Sequence, residues 1–534
     1  MSVLDWFVIF LYLAAVIAVG IYVGRHQGDM KDYFLGGRNI PWWAAVLSMV
    51  ATEVSAATFL GAPEQGYTRD FTYLQFAIGS ILARFVLAFL FIGIYYKLDV
   101  YTVYGFLSKR FGYPTKNTAA GAFLLGRIFA GGSRLFIASL AVKVITGFDM
   151  SVSIIILGSI AIVYTVFGGI KAVIWTDVVQ AIVLVGGAIL AVAFLLGDIP
   201  LSNGEIMQML SDNHKFRLFD TDNGDGTAWI SNAYHFFPAL LGGFFLTMAT
   251  HGTDQAMIQR LLTCKDSARS KFSMVFSGFF GIFVAGVFMV IGMLLFVYVQ
   301  TRQPGDHMLQ VAQDLASTGQ NGHYFLHYIL EGLPRGISGL IIASVVAAAM
   351  SSCDSELNSM SATFINDFYI PYFKSDASNQ QLMKIARYAT IVSGIFLIGL
   401  AILIADFYAN NPQTDLLSIA LGVMTLFYGS LLGVFLLGLL TRTRGSNLTN
   451  VIGMVSSLVV IVLISYRGWI PFLGLYDPSL GGTGFWADFY QFKLGWPWFI
   501  VIGTAVSIGI GALGVTTKEM INRYRNDLAE SSQA

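Results

Sequence analysis

Charged residues are scarce in this chain. Of its 534 residues only 12% are Asp, Glu, Lys or Arg, about half the share of an ordinary soluble protein. The charges present cancel to a formal net charge of zero, which excludes the strongly basic surface of a nucleic-acid-binding protein. Cysteine is scarce as well. Cys264 and Cys353 are too few for a disulfide framework, and we expect both to be reduced packing residues.

Long apolar runs are what the sequence has in abundance. Each run is roughly 20 residues long, enough to cross a hydrocarbon core of about 30 Å. The chain is therefore predicted to be an all-α polytopic membrane protein with about 13 transmembrane helices, surrounded by the lipid bilayer. The predicted spans are approximately 5–24, 41–62, 72–96, 117–146, 150–168, 172–196, 232–255, 272–300, 336–369, 384–405, 415–440, 447–466 and 497–516.

The distribution of Lys and Arg predicts the orientation. With the N-terminus outside, the inner side collects 20 of the 31 basic residues, Arg260 among them, and the outer side 8. The other three, Arg84, Arg127 and Arg134, fall within spans. An excess of basic residues marks the cytoplasmic side. We therefore expect a multi-pass protein of the cell (inner or plasma) membrane, with the N-terminus outside and the C-terminus cytoplasmic.

Two of the predicted spans are interrupted. The second, "PWWAAVLSMVATEVSAATFLGAPEQGY", has a polar centre followed by Gly-Ala-Pro, and the seventh contains "THGTDQ" before the inner loop. They lie five spans apart and so cross the membrane in opposite directions. Broken helices at matching positions of two oppositely oriented halves indicate a transporter site near the bilayer midplane.

The stretch "AAAMSSCDSELNS", 347–359, is unusually rich in oxygen atoms for an apolar span. On a helix Ala348, Ser351, Ser352 and Ser355 share one face, with Asp354 at its edge. Hydroxyls together with a carbonyl freed at a helix break would suit an alkali cation. Serines also allow close helix packing, which remains an alternative. The acids Asp354 and Glu356 favour function, because acids are costly inside a membrane.

Other polar residues within the spans allow two interpretations each. Asp177 is either an interfacial acid or, with Asp354, the charge of a second cation site. Arg84, Arg127 and Arg134 either capture a substrate carboxylate or pair with acids, of which Glu53 and Glu64 are nearest in number.

His251 has neither a nucleophile nor a metal-ligand partner, and no phosphate loop is present. We therefore expect no enzyme activity.

Six stretches together resemble the sodium:solute symporter family, that of the sodium/glucose cotransporters, in a bacterial-type form. They are "DYFLGGRNIPWWAAVLSMVATEVSAATFLGAPEQGY", "VYTVYGFLSKRFG", "VYTVFGGIKAVIWTDVVQ", "TDQAMIQRLLTCKD", "AAAMSSCDSELNSMSATFINDFY" and "GVFLLGLLTRT". The resemblance implies a five-plus-five inverted-repeat core with two broken helices. It divides the chain into an N-terminal extra helix (1–30), a transport core (31–445), two C-terminal helices (446–516) and a cytoplasmic tail (517–534).

The resemblance also implies the ion sites. The family's sodium ligands fall on the carbonyls of Ala51, Val54 and Ala348 and on the hydroxyls of Ser351 and Ser352. A second sodium site of some members falls on Asp177, Asp354 and Ser355, with an acid at 354 where those members have a hydroxyl. Sodium ion is thus the expected coupling ion.

For the solute, the family's sugar contacts fall on Thr58 and on Ala77, which cannot hydrogen-bond a hydroxyl. Ser80, Thr247 and Thr250 remain as candidate contacts, and Arg127 and Arg134 are available to a carboxylate. "GAPEQGYTRDFTY" is closer to sialate- and anion-transporting members.

The resemblance therefore implies sodium-coupled symport of a small organic solute, with a carboxylate such as a sialate preferred and a sugar or polyol as the alternative. An uncoupled facilitator or a membrane sensor is disfavoured. Beyond the solute, sodium and the bilayer, we expect neither a nucleic acid nor an obligatory protein partner.

Overall fold

The computed structural model describes residues 1–24, 34–166, 169–222, 226, 228–374, 376–411, 414–466, 485–492 and 494–530. All regular elements in these ranges are helices, apart from two isolated β-bridges. The start of the predicted transport core (31–33), the residues 167–168 of the "GG" stretch and the end of the tail (531–534) lie outside the described residues.

The first half of the described chain contains nine helices. They are α1 (Val3–Gly24), α2 (Trp42–Glu53), α3 (Ala56–Thr68), α4 (Phe71–Lys97), α5 (Tyr104–Arg110), α6 (Tyr113–Thr146), α7 (Met150–Thr165), α8 (Ile170–Asp198) and α9 (Asn203–Asp212).

Ten helices of eight or more residues follow in the second half, counted over the described residues; the seven-residue helix Phe485–Gln491 lies between the last two spans. The ten are α10 (Phe236–Gly252), α11 (Gln255–Leu262), α12 (Ser267–Gln300), α13 (His307–Thr318), α14 (Ile337–Tyr372), α15 (Asn379–Asn410), α16 (Leu416–Leu440), α17 (Asn447–Ser465), α18 (Pro497–Leu513) and α19 (Lys518–Glu530).

The predicted spans correspond to helices of the structure. Among the described residues ten helices are long and apolar enough to cross a membrane, and the bent pair α2–α3 makes eleven. Two shorter apolar helices, Met150–Val163 and Pro497–Leu513, lie at the remaining two predicted positions. The all-α polytopic architecture is confirmed.

The break in the second predicted span lies between α2 and α3, which meet at 64°. The first helix ends at Glu53, and Ser55 caps the next by accepting a hydrogen bond from the backbone N–H of Ala57 at 3.3 Å. A serine oxygen replaces one of the helical partners that the first turn lacks. The carbonyls at the end of α2 are therefore left without the helical donors of a continuous helix.

The break in the seventh predicted span lies between α10 and α11. Helix α10 ends at Gly252, and Asp254 begins the next helix by accepting from the N–H of Ala256 at 2.8 Å. The cap explains why "THGTDQ" interrupts the helix, since aspartate stabilises a new N-terminus. Both predicted interruptions are confirmed.

Helices of one half of the core pack against helices of the other half, as expected of two intertwined inverted repeats. The first element of each half packs on the second helix of the other, α3 on α12 and α10 on α4. The third helix of each half packs on the fifth of the other, α6 on α16 and α14 on α8. The two fourth helices, α7 and α15, pack on each other. The C-terminal helices α17 and α18 add to α16, and α1 lies against α8 and α14.

Glycines allow both exchanged pairs to approach closely. A Cβ at Gly66 of α3 would lie 2.2 Å from a carbonyl oxygen of α12, and one at Gly79 of α4 would lie 2.1 Å from a carbonyl oxygen of α10. Any side chain at either position would separate the helices. Small residues at such contacts are typical of membrane helix packing.

Candidate functional site

The serine face of α14 lies against the broken end of α2. Ser351 Oγ donates to the Ala51 carbonyl at 2.8 Å and is 3.2 Å from the Ala348 carbonyl. Ser352 Oγ lies 3.1 Å from the Ala348 carbonyl and 3.5 Å from that of Thr52. Four of the five predicted sodium ligands, all but Val54, are thus brought together. All are buried, and their oxygens form a hard-donor cluster.

Val54 lies at the break itself, as the residue that directly follows α2. The carbonyl facing Ser352 is that of Thr52 rather than that of Val54. Thr52 is therefore an additional candidate ligand beyond the five predicted ones. Its position two residues before the break is the signal that would have included it.

The predicted second cation site contains a protein cation. Asp177 Oδ2 accepts from Ser48 Oγ at 2.6 Å and from Arg260 Nη2 at 3.0 Å. The same Arg260 nitrogen donates to Ser355 Oγ, which lies 3.2 Å from Thr52 Oγ1. Arg260 is fully buried on α11, so its charge lies inside the helical bundle.

Asp354 does not join Asp177 and Ser355. Its Oδ1 accepts from Thr165 Oγ1 of α7 at 2.6 Å, and its side chain lines a different cavity, next to α1. Successive residues on a helix point in directions about 100° apart. Because Ser355 faces Arg260, its neighbour necessarily faces elsewhere, and the expected grouping of three residues is wrong in this structure.

A cavity of about 200 Å³ lies between the two broken helices. It is bounded by residues of α2, α3, α4, α6, α10, α11, α12 and α16. All six predicted solute contacts line it: Thr58, Ser80, Arg127, Arg134, Thr247 and Thr250. Ala77 lines it too, and the hydroxyls of Ser80 and Thr247 are 2.9 Å apart.

The first charged cluster in the cavity wall joins α2, α4 and α10. Arg84 Nη2 donates to both carboxylate oxygens of Glu53 at 2.7 Å. His251 Nε2 lies 2.5 Å from Glu53 Oε1 and 3.1 Å from the same Arg84 nitrogen. Arg84 Nη1 donates to Ser277 Oγ of α12 at 2.6 Å. The expected pairing of an intramembrane arginine with Glu53 is confirmed for Arg84.

The second charged cluster contains the other two arginines. Arg127 contacts Asp254 at 2.5 Å and Glu356 at 3.1 Å, and Arg134 Nη1 donates to Glu356 Oε1 at 2.8 Å. The hydroxyl of Tyr428 donates to Asp254. Glu356, from the oxygen-rich stretch, therefore holds two arginines rather than a cation from solution.

Glu64 was wrong as a candidate arginine partner. Its Oε2 accepts from the backbone N–H of Leu416 at 3.2 Å, at the first turn of α16. A carboxylate is stabilising at a helix N-terminus because the orphan amides there carry partial positive charge. Glu64 thus ties α3 to α16.

The substrate-side cation with an open donor is Arg134. Among the described residues its Nη2 contacts the sulfur of Met424 at 3.6 Å, which is a weak acceptor. The charges of the two clusters otherwise balance, three arginines against Glu53, Asp254 and Glu356. The charged groups in the wall of the cavity therefore nearly cancel one another.

Two broken helices enclosing a midplane cavity, inside a helical bundle with exchanged halves, define a secondary transporter. A comparison with protein families identifies which class. The model of the sodium:solute symporter family matches residues 33–453, and the chain belongs to that family. It is a multi-pass plasma membrane transporter that couples the movement of a solute to sodium.

Among similar proteins is the sodium/sialic acid symporter SiaT of Proteus mirabilis, 31% identical over 87% of this chain and 90% of that protein. The sodium/sialic acid symporter NanT of Aliivibrio fischeri is 29% identical over 86% and 87%. A solved sodium-coupled sialic acid symporter, in a substrate-bound outward-open state, has a TM-score of 0.78, with 27% identity over 96% of this chain and 97% of that one.

Proposed function

We propose that this symporter carries a small organic carboxylate of the sialate kind into the cell, driven by the sodium gradient. One observation carries the choice of a carboxylate. Arg134 faces the cavity with Nη1 fixed by Glu356 and Nη2 open. A guanidinium held on one side and open on the other is pre-organised to receive a carboxylate. The similarity to two sialic acid symporters points the same way.

The sodium site of this proposal is the oxygen cluster at the break. Its ligands are the carbonyls of Ala51, Thr52 or Val54 and Ala348, with the hydroxyls of Ser351 and Ser352. An ion there would join α2 to α14, elements of opposite halves. Sodium would then favour the state in which these elements are close, which is how binding one state better couples two fluxes.

A second candidate solute is a neutral sugar or polyol. The neighbouring hydroxyls of Ser80 and Thr247 support it, because paired hydroxyls can bind those of a sugar. The chain is also 28% identical to a sodium/glucose cotransporter of Vibrio parahaemolyticus over 87% of its length. Ala77 in the cavity wall and the open nitrogen of Arg134 favour the acid.

The membrane orientation, the domain organisation and the number of sodium ions belong to the same proposal. The N-terminus lies outside and the C-terminus in the cytoplasm. The core spans residues 31–445, with an extra helix before it and two after it. Transport by rocking of the two halves requires no covalent chemistry, nucleic acid or obligatory protein partner. Arg260 supplies the positive charge beside Asp177, so one sodium ion per cycle would suffice.

The test is uptake into proteoliposomes of sialate, short monocarboxylates, glucose, galactose and inositol, with and without an inward sodium gradient. We expect sodium-driven uptake of an acid, lost in Arg134→Ala and strongly weakened in Ser352→Ala. Asn358→Ala, a change to a buried residue of the same helix outside both sites, is the control. Sodium-driven sugar uptake unaffected by Arg134→Ala would refute the carboxylate, and sodium-independent uptake would refute the ion site.

A further inference from the structure

A second cavity lies on the membrane face of the bundle, apart from the solute cavity. Its volume is about 830 Å³, and its walls come from α1, α7, α8 and α14. This volume is within the range of about 300–1,000 Å³ typical of small-molecule sites. The residues at its mouth are apolar and exposed on the lipid-facing surface of α1 and α7: Ile17, Ile21, Ile160 and Val163. Entry is therefore from the bilayer.

The floor of the cavity carries a buried acid. Asp354 is fully buried, and its Oδ1 accepts from Thr165 Oγ1. Its Oδ2 has no hydrogen-bond partner, and the side chain takes part in no ion pair, within the part of the chain that the structure describes. The floor around it is otherwise small or apolar, with Ala172, Val173 and Met350.

The other buried acids near the predicted cation sites and the solute cavity have cationic partners. Asp177 pairs with Arg260, Glu53 with Arg84, and Glu356 with Arg134. An acid inside the membrane is retained at a cost and usually marks a function. One oxygen of the Asp354 carboxylate lacks a hydrogen bond, and the cavity beside it is apolar. A ligand that fits both features is a cation with one N–H donor and an apolar body.

We propose that this cavity is a binding site for a lipophilic ammonium compound, whose nitrogen pairs with Asp354 and whose apolar part lies along α1 and α7. Charge complementarity sets the position of the nitrogen. The apolar walls select against a hydrated inorganic cation. Neither Asp177 nor Ser355 is the proposed partner of the amine, because both accept hydrogen bonds from Arg260.

Occupancy of the cavity has a consequence for transport, and this consequence rests on the proposed function. Asp354 lies next to Ser355 and three residues after Ser351 on the helix that carries the candidate sodium ligands. A ligand filling the space between α1, α7 and α14 would hold these helices at one separation. We expect it to slow sodium-driven uptake without entering the solute cavity.

The probe is dimethyl(phenylbutyl)amine, compared with its carbon isostere, in which a CH group replaces the nitrogen. Binding to the full-length protein in nanodiscs is measured by titration calorimetry, with partition into empty nanodiscs subtracted. We expect saturable binding of the amine at one site and none of the isostere. Asp354→Asn keeps the volume and removes the charge, and should weaken amine binding by roughly tenfold or more.

A steric variant keeps the test independent of the folding of Asp354→Asn. Val163→Trp changes an exposed residue at the mouth and should abolish binding while the acid is retained. Val455→Trp makes the same change at an exposed position on α17, away from the cavity, and should leave binding unchanged.

Three results would overturn the proposal. Equal binding of amine and isostere would mean simple partition into an apolar space. Full binding by Val163→Trp would place the amine elsewhere. Complete displacement of the amine by sodium, but not by potassium at the same concentration, would make Asp354 a sodium ligand instead. Binding without any effect on uptake would keep the site and remove only its link to transport.

Discussion

Two arginine clusters line the solute cavity, and they differ in how their nitrogens are used. Both terminal nitrogens of Arg84 are occupied, Nη1 by Ser277 and Nη2 by Glu53. Arg134 uses Nη1 for Glu356 and leaves Nη2 against a methionine sulfur. The side chain of Arg84 is 3% exposed and that of Arg134 is 11% exposed.

The difference separates an anchoring role from a binding role. A buried arginine with both terminal nitrogens hydrogen-bonded inside the protein holds helices together, here α2, α4 and α12. An arginine with one open nitrogen facing a cavity gains a partner only when a solute arrives. The same residue type therefore serves structure in one cluster and recognition in the other.

The largest loss of stability is expected when Glu356, which holds both arginines of the second cluster, is replaced. Replacing it by Gln removes the shared acid and leaves Arg127 and Arg134 less compensated while still buried. Breaking one partner of a buried ion pair costs about 3–5 kcal/mol. We therefore expect most of the Glu356→Gln protein to unfold at temperatures that the parent protein survives. The measurement is the peak of folded protein that remains after heating, in fluorescence-detected size-exclusion chromatography.

The control for that loss is Glu331→Gln. Glu331 is exposed and pairs with the exposed His307. Exposed pairs contribute about 0–1 kcal/mol, so this variant should melt like the parent protein. Equal melting of Glu356→Gln and the control would mean that the central cluster holds no helices together.

A smaller and more selective effect is expected from changing each arginine to lysine. Lysine keeps the charge but has no planar fork, so it cannot serve several fixed acceptors at once. Arg84→Lys should lower thermal stability, because Ser277 and Glu53 lose a common donor. Arg134→Lys should keep its stability and raise the KM for the carboxylate by roughly tenfold.

The measurement is a pair of readouts on both variants, melting temperature and KM in sodium-driven uptake. The comparison between the clusters predicts opposite patterns. Arg84→Lys with a raised KM and normal stability would contradict the anchoring role of Arg84. Arg134→Lys with lowered stability and a normal KM would contradict the binding role of Arg134.

The sequence was sufficient for features that local chemistry decides. The spans follow from apolar length, and both breaks follow from caps, Ser55 and Asp254, that lie within two residues of each interruption. The serine face of α14 follows from helical spacing. These depend on neighbours in the chain, which a sequence displays directly.

Ion pairing between helices depends on neighbours in space and was largely missed. Arg127 lies near Glu53 and Glu64 in number, yet its partners are Asp254 and Glu356, the latter 229 residues away. Arg260 is nearest to a basic loop in sequence but reaches Asp177 in the core. Asp354 was misplaced for a local reason, because its direction on α14 differs from that of Ser355.

The smallest predicted effect concerns Lys215, which lies in the loop after α9. Its Nζ donates to the carbonyls of Tyr67 and Arg69, both at 2.7 Å, at the C-terminal end of α3. Unlike the two arginine clusters, it is held mainly by neutral acceptors. Burial lowers the pKa of Lys215 to about 8, from its usual 10.5.

This lowered pKa predicts a pH dependence of stability with a definite sign. Between about pH 8 and 10.5 the folded protein has released the Lys215 proton while the unfolded chain still holds it. Stability from this group therefore rises with pH in that window. Lys215→Met should remove the rise, on the order of 1 °C in melting temperature between pH 7.5 and 9.5 for a chain of this size. Lys215→Arg, always charged, should remove it too, while a rise that persists in both variants would assign it to another group.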